Sequence, residues 1–420
     1  MRCRLQEATR TFVNLNGRTE CRNLFASRPS DTSTLMNSDR TLTIHNTTYD
    51  CSQAVSYHLG AFPPPNIPLD RIIEPLTGAL QDLTRFDERL AHMPNSELLL
   101  APLRQRDAVV SSRMEGTIST LEEVLRLEAG KNARHADFGG RDDTLEVALY
   151  ARALKAAEEQ IDDGYGLSDH LIRTAHQIML SHGRGADKNP GKYKVEQNYV
   201  GDRHQRRVDF VPIAPEHLGA GMQALVAFVT TDGQHPLIRT AIAHAEFEAL
   251  HPFDDGNGRI GRMLIPLTLW NLGILAKPHF FVSDYFERHK DEYVARLRAV
   301  SAHGDWTGWC GFFLTALKAQ AVANMRLADA ILAHHAQMNE RFRQILRSQH
   351  YGAAVDFMFA NPIFWNNHFL ETANAPRTTL QNYTPKLVEA GLLRTLVPPA
   401  GRAPGLYAFS SLLEIIDAGE

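Results

Sequence analysis

Cysteine is scarce in this chain of 420 residues. Cys3, Cys21, Cys51 and Cys310 are the only four, and their wide spacing suggests neither a disulfide framework nor a zinc site, so a reducing, cytoplasmic compartment is expected. The sequence also lacks an apolar run of membrane length, and it lacks a basic start followed by an apolar stretch; neither a spanning helix nor a signal peptide is expected. Excess positive charge is missing as well. The 44 Lys and Arg face 48 Asp and Glu, giving −4 and a pI near 6.6, which argues against broad binding to nucleic acid or to anionic membrane. Gly-x-x-x-x-Gly-Lys-Ser/Thr, the Walker phosphate loop, occurs nowhere. What the chain does have is 44% hydrophobic residues, enough to bury a sizeable core in two or three domains.

The densest chemistry lies in twelve residues, His251-Pro252-Phe253-Asp254-Asp255-Gly256-Asn257-Gly258-Arg259-Ile260-Gly261-Arg262. Two glycines around Asn257 permit a tight turn whose N–H groups converge on an anion, and the apolar run from Met263 to Leu275 reads as a helix just beyond it. Asp255 is placed to hold Mg²⁺ against phosphates, Arg259 and Arg262 lie three apart near one helix face, and His251 can take a proton. This set suits transfer of a phosphorus-containing group, where positioning and charge stabilisation supply most of the catalysis. The same letters spell Gly256-x-Gly258-x-x-Gly261, the dinucleotide fingerprint, but that needs a preceding strand, and Leu237 to Leu250 carries Ile238, Ile242, Ala245 and Ala249 at helical spacing. His244, Glu248 and His251, at spacings of four and three, spell a two-histidine, one-carboxylate metal site; that reading leaves the glycines and both arginines unused.

The pattern His-x-Phe-x-Asp-Gly-Asn-Gly-Arg-x-x-Arg, met in full from His251 to Arg262, resembles the signature of the Fic family of protein adenylyltransferases. The resemblance implies that His251 is the base for a target hydroxyl, Asp255 the Mg²⁺ ligand, Gly256, Asn257 and Gly258 the cradle of the α- and β-phosphates, and Arg262 the partner of the γ-phosphate. Phe253 matches a core anchor, and Asp254 stands where the family often has an apolar residue. Upstream, Ser111-Ser112-Arg113-Met114-Glu115-Gly116 is similar to the family's inhibitory motif, Ser/Thr-x-x-x-Glu-Gly/Asn. On that likeness Ser111, Glu115 and Gly116 form an inhibitory element whose carboxylate reaches Arg262. Read alone, the hexamer is a helix ending at Gly116.

Residues 1–45 are rich in Arg, Ser, Thr and Asn without periodicity, so a mobile tail is expected, with Met36 a second candidate start that intact mass would test. Leu69, Ile72, Ile73, Leu76 and Leu80 predict a helix from Leu69 to Leu90, Leu98 to Leu127 also reads helical, and 46–130 is expected to form a helical N-terminal domain. Helices at Leu145 to Ile161 and Leu167 to Leu180, the second capped by Ser168, belong to a core over 131–346 in which helical spacing runs to about Leu346. Between these helices and the signature, Tyr193 to Val211 predicts a hairpin. Its place before the signature matches the Fic flap, which holds a target by strand addition; Arg203 to Arg207 at its tip is either an acidic-target reader or a solvated turn. Tyr285, in a stretch resembling the helices that complete that core, is a candidate to line the nucleoside pocket. Residues 347–420, with short helices followed by Leu392 to Arg394 and Gly405 to Phe409, suggest a winged helix, though five Lys/Arg against six Asp/Glu make a poor footprint for DNA.

The expected fold is thus mainly α: a Fic helical core with a short β-hairpin flap, a helical N-terminal domain and a C-terminal winged helix. The expected activity is Mg²⁺-dependent transfer of AMP from ATP to a Ser, Thr or Tyr hydroxyl of a protein, restrained by Glu115. A nucleotide-sensing transcriptional regulator acting through the winged helix, or transfer of another part of a nucleotide, is the alternative. Self-modification, a homodimer and DNA binding stay open, and no membrane partner is expected.

Overall fold

The computed structural model describes residues 11–14, 18–21, 41–44, 47–65, 67–93, 96–131, 142–231 and 233–417. The described N-terminal part is extended: β1 (Thr11–Asn14) pairs with β2 (Arg18–Cys21), and β3 (Thr41–Ile44) pairs with β4 (Thr47–Asp50), followed by β5 (Val55–Ser56). Helices α1 (Leu69–Ala91), α2 (Ser96–Met114), α3 (Leu121–Lys131), α4 (Asp142–Asp162) and α5 (Asp169–Met179) then lead to β6 (Val200–Asp202) and β7 (Arg207–Val211). The central helices are α6 (Pro215–Thr231), α7 (Pro236–Leu250), α8 (Asn257–Asn271), α9 (Ser283–Arg288), α10 (Lys290–His303) and the 41-residue α11 (Trp306–Leu346).

The protein is mainly α-helical, and α7 and α8 form its centre. Every residue from Ala241 to Leu250 and from Asn257 to Leu269 is buried, as expected of helices enclosed on all sides. α1 lies along α11 through Ile72, Leu76, Ala79, Leu83, Phe86 and Leu90, a single face at 3.6-residue spacing. Asp305 caps α11 by accepting from Gly308 N–H, and Trp309 Nε1–H donates to the Ala241 carbonyl at 2.7 Å, fastening α11 to α7.

Next to the central helices stands a small sheet organised on β7. β6 pairs with it antiparallel, Gly201 opposite Val208. β4 and β5 run parallel to β7 through Asp50 opposite Arg207 and Val55 opposite Phe210, which puts them on the edge away from β6. The hairpin expected from Tyr193 to Val211 is therefore one part of a five-stranded sheet, and the β1–β2 hairpin lies beside β6 without pairing to it.

After α11 come α12 (Tyr351–Ala360), β8 (Ile363–Trp365), α13 (Asn366–Thr372), α14 (Arg377–Leu380), α15 (Tyr383–Glu389), β9 (Arg394–Val397), β10 (Leu406–Ala408) and α16 (Ser410–Asp417). The three strands form an antiparallel sheet in the order β8-β10-β9. This unit packs back on the chain: α12 and α16 meet α2, β8 meets α3, and Arg394 Nη2 donates to Glu122 at 2.9 Å.

Several boundaries differ from those the sequence predicts. The helix expected over Leu98 to Leu127 is two helices, because Gly116 is left-handed at φ 89° and Thr120 and Glu123 form a capping box that starts α3 anew. α8 begins at Asn257, not after Arg262, since left-handed Gly256 (φ 79°) precedes it and the second half of the signature is already helical. β8, a three-residue strand directly after Asn361-Pro362 and too short to show alternation, has no counterpart in the sequence reading. Within 1–45, read as an unpatterned tail, the described residues are paired strands; the rest, Met36 included, lies outside the described residues. Among the described residues no helix is long and apolar enough to cross a membrane, and Cys51 and Cys310 are free and buried.

Candidate active site

The signature is the junction between α7 and α8. His251, the C-cap of α7, is left-handed at φ 48° and ψ 59°, a conformation that costs a residue with a Cβ about 1–2 kcal/mol. Its Nδ1 lies 3.2 Å from the Glu248 carbonyl and donates to it, so the lone pair is on Nε2, the nitrogen a base needs. Burial, then the nearby Lys194 charge, push its pKa down to about 3, so His251 is neutral at any ordinary pH.

The glycine turn is braced from inside. Asn257 Oδ1 accepts from Phe253 N–H at 2.8 Å and its Nδ2 donates to the Phe253 carbonyl at 2.9 Å. Phe253 is stacked on His176 at 3.7 Å and 6°. His176 accepts from Gly191 N–H on Nδ1 and donates from Nε2 to the Asp255 carbonyl at 2.9 Å, which fixes its tautomer. A side chain at either glycine would have to displace a neighbouring side-chain end. A Cβ on Gly256 would stand 2.6 Å from Met179 Cε, and one on Gly258 would stand 2.3 Å from Glu115 Oε1.

That last contact sets the electrostatics of the site. Glu115, in the turn after α2, lays its carboxylate against the first turn of α8, where the helix dipole and N–H groups favour an anion, and accepts from Arg262 Nη2 at 2.7 Å. Arg262 also donates from Nε to Ser111 Oγ at 2.9 Å and from Nη2 to the Ser111 carbonyl at 2.8 Å. Burial disfavours the guanidinium's charge, but Glu115, Tyr293 and Glu248 more than offset it. So Ser111, Glu115, Gly258 and Arg262 are together. Arg259 is turned the other way, towards Glu146 at 3.4 Å and Asp255 at 3.5 Å. Asp255 keeps a partly exposed carboxylate whose Oδ1 accepts from Gly256 N–H; burial raises its pKa and Arg259 lowers it. One carboxylate beside an anion site is the donor set Mg²⁺ takes when phosphate oxygens and water complete its shell, so the residues fit that ion. Tyr285, on α9, is half-buried and stacked on His289 at 4.0 Å. At the hairpin tip Arg207 is paired with Asp209 at 2.6 Å, and Arg203 and Arg206 are exposed.

His244 is a structural residue: its Nδ1 meets the Gly261 carbonyl and its Nε2 the Tyr293 hydroxyl, so both nitrogens are used, and no cluster of His, Cys, Asp and Glu able to hold a metal is found among the described residues. Residues the sequence reading did not pick are Glu146, His176, Lys194 and Asn198, and Glu248 entered it only as a ligand of the metal site. Of these Lys194 and Asn198 lay within the predicted hairpin.

Breaking the Arg262–Glu115 pair from one side strands a buried charge. Arg262→Ala is expected to lower stability by roughly 3 kcal/mol in urea unfolding, and adding Glu115→Ala to recover a large part of it. No recovery would mean that the two charges are not coupled. Glu248 gives a pH prediction. Neither of its oxygens has a hydrogen-bond partner among the described residues, and burial raises its pKa to about 8, countered by Arg262 and aided by Glu115. Between the ordinary value, 4.5, and 8 the folded state holds one more proton than the unfolded state, so this group adds stability as pH falls through that window. Glu248→Gln removes the contribution and is expected to steepen acid destabilisation by roughly 1.4 kcal/mol per pH unit between pH 6.5 and 5, read from urea unfolding at three pH values.

Fold and site together define a helical protein with an anion site at a buried helix N-terminus, a neutral histidine beside it and an internal carboxylate lodged in it. Residues 73–159 match the Fic/DOC family N-terminal model and residues 166–269 the Fic/DOC family model, so the chain carries a Fic domain with that family's N-terminal region. It is 32% identical over 149 residues to the protein adenylyltransferase fic-1 of Caenorhabditis briggsae, covering 34% of this chain and 26% of that protein. With the protein adenylyltransferase Fic of Nematostella vectensis it shares 28% over 173 residues, 39% of this chain and 36% of the other. The chain thus spans only about a quarter to a third of the length of these relatives. A crystal structure of a Fic family protein from Desulfovibrio desulfuricans G20 has the same fold, with a TM-score of 0.51 and 20% identity, covering 83% of this chain and 98% of that one.

Proposed function

We propose that this chain transfers AMP from ATP to a Ser, Thr or Tyr hydroxyl of a protein, and that Glu115 restrains it. The observation that carries this reading is the Glu115 carboxylate held between Gly258 and Arg262, an internal anion seated where a helix N-terminus and a buried guanidinium suit phosphate. With the triphosphate there instead, His251 Nε2 takes the proton of the target hydroxyl as its oxygen bonds to the α-phosphorus. The bond from that phosphorus to the bridging oxygen breaks, and pyrophosphate leaves. Asp255 would hold Mg²⁺, which when bound neutralises phosphate charge. The hairpin β6–β7 supports delivery of the target as an added strand. ATP labelled at the α-phosphate should mark protein and ATP labelled at the γ-phosphate should not; the reverse would make the chain a kinase, and no label in an activated variant would remove the reading.

Residues 347–417 support a winged helix, in the order helix, strand, helices, strand, strand, with α14 and α15 in the recognition position. A DNA-reading regulator would then show salt-dependent duplex binding. Of these two helices' charges only Arg377 and Lys386 are basic, so a protein partner or a second copy of the chain suits the module better.

A further inference from the structure

The left-handed backbone at His251 persists only where its surroundings fix it, and the fixing comes from outside the helix pair. Four consecutive carbonyls, Leu250 to Phe253, accept hydrogen bonds from two residues of the segment leading into the flap. Lys194 Nζ donates to the Leu250 carbonyl at 3.1 Å and Lys194 N–H to that of Pro252 at 2.9 Å. Asn198 Nδ2 donates to the carbonyls of His251 and Phe253, each at 3.1 Å. The two residues are joined by Lys194 Nζ to Asn198 Oδ1 at 2.7 Å, and both are buried. That bond orients the Asn198 amide, because the oxygen must face the ammonium and the NH₂ the carbonyls. An ammonium also suits the negative end of α7, and it disfavours a second positive charge on His251.

We propose that Lys194 and Asn198 are positioning residues for His251: they hold it in the left-handed turn that sets Nδ1 against the Glu248 carbonyl, and they tie that geometry to the flap. Base and flap are then one rigid unit, so a hydroxyl presented by the flap meets the imidazole in register without either part being ordered at the moment of reaction. The two residues touch no phosphate in this account, which separates their effect from that of Arg262.

This inference rests on the AMP-transfer reading, and the test is run on the full chain carrying Glu115→Gly, with α-labelled ATP. Asn198→Asp keeps the size of the side chain and its contact with Lys194, yet puts an oxygen where Nδ2 donates. It is expected to lower kcat for transfer about 100-fold with the Kd for ATP unchanged within about twofold, since a misplacement on the order of 1 Å can cost that much. Lys194→Met, which keeps length and burial without donors or charge, should do the same and serves if Asn198→Asp does not fold. In a His251→Ala background neither substitution should lower the residual rate further. Unchanged kcat, a loss matched by weaker ATP binding, or an equal loss without His251 would each overturn the proposal. If the Glu115→Gly parent itself transfers no α label, it is the AMP reading that fails. The positioning claim is then decided by a crystal structure of Asn198→Asp, in which His251 is expected to leave positive φ; a retained φ near 48° overturns it.

Discussion

Glu115→Gly is expected to raise AMP transfer at least tenfold while changing ATP affinity much less. The Glu115 carboxylate lies 2.7 Å from Arg262 Nη2 and against Gly258, so it neutralises the guanidinium and, on the proposed reading, places negative charge where the outer phosphate would sit. Two like charges about 4 Å apart interact by roughly 4 kcal/mol at an effective dielectric near 20, enough to turn a bound triphosphate away from the in-line pose without expelling it. A tenfold gain needs relief of only about 1.4 kcal/mol at the transition state. The substitution also leaves Arg262 buried without its carboxylate, so the variant without ATP is expected to melt below the wild type, while ATP stabilises the two by similar amounts. The assay compares α-label incorporation by the two proteins. Equal incorporation would reduce Ser111 to Gly116 to an ordinary helix end.

His251→Ala in that activated protein is expected to cost between about 10²-fold and 10⁴-fold in transfer while ATP still binds. Nothing that would hold the phosphates is touched, because the Gly256 turn, the α8 N-terminus and Arg262 are braced by Asn257, His176 and Ser111. The lone pair on Nε2 is what is lost. Since burial and Lys194 keep His251 neutral, the parent should show no acid limb from this group between pH 6 and 8. Transfer undiminished by the substitution would eliminate His251 as the base.

Much of this site was legible because its chemistry is local in the chain. Twelve residues carry the turn, the helix start, the base and one guanidinium, and a six-residue pattern 140 positions upstream carries the carboxylate that meets them. Helices with one apolar face, such as α1, announced themselves by spacing. What was not legible is whatever depends on a partner distant in sequence. Arg259 reads as a phosphate ligand until Glu146 on α4 is seen 3.4 Å away. Lys194 drew no reading from the sequence, since nothing near it tells that the carbonyls of residues 250 and 252 lie over it. The strands β4 and β5 escaped for a related reason: they are too short to show alternation, and their partner β7 lies some 150 residues on.

Helix α2, which carries the Ser111 end of the inhibitory element, is no appendage. Ala108, Val109, Val110 and Met114 are buried in the common core, and α12 and α16 from the far end of the chain rest on it. On the reading proposed above, the restraint cannot be cut away by a protease or lost with a domain without opening that core to water. It also does not dilute. An inhibitor supplied by a second molecule acts only above its dissociation constant, whereas a carboxylate folded into the same core has an effective concentration that no expression level alters. Such a chain is silent from the moment it folds, in one copy or in thousands, and activity can come only from events that move one side chain out of a helix N-terminus.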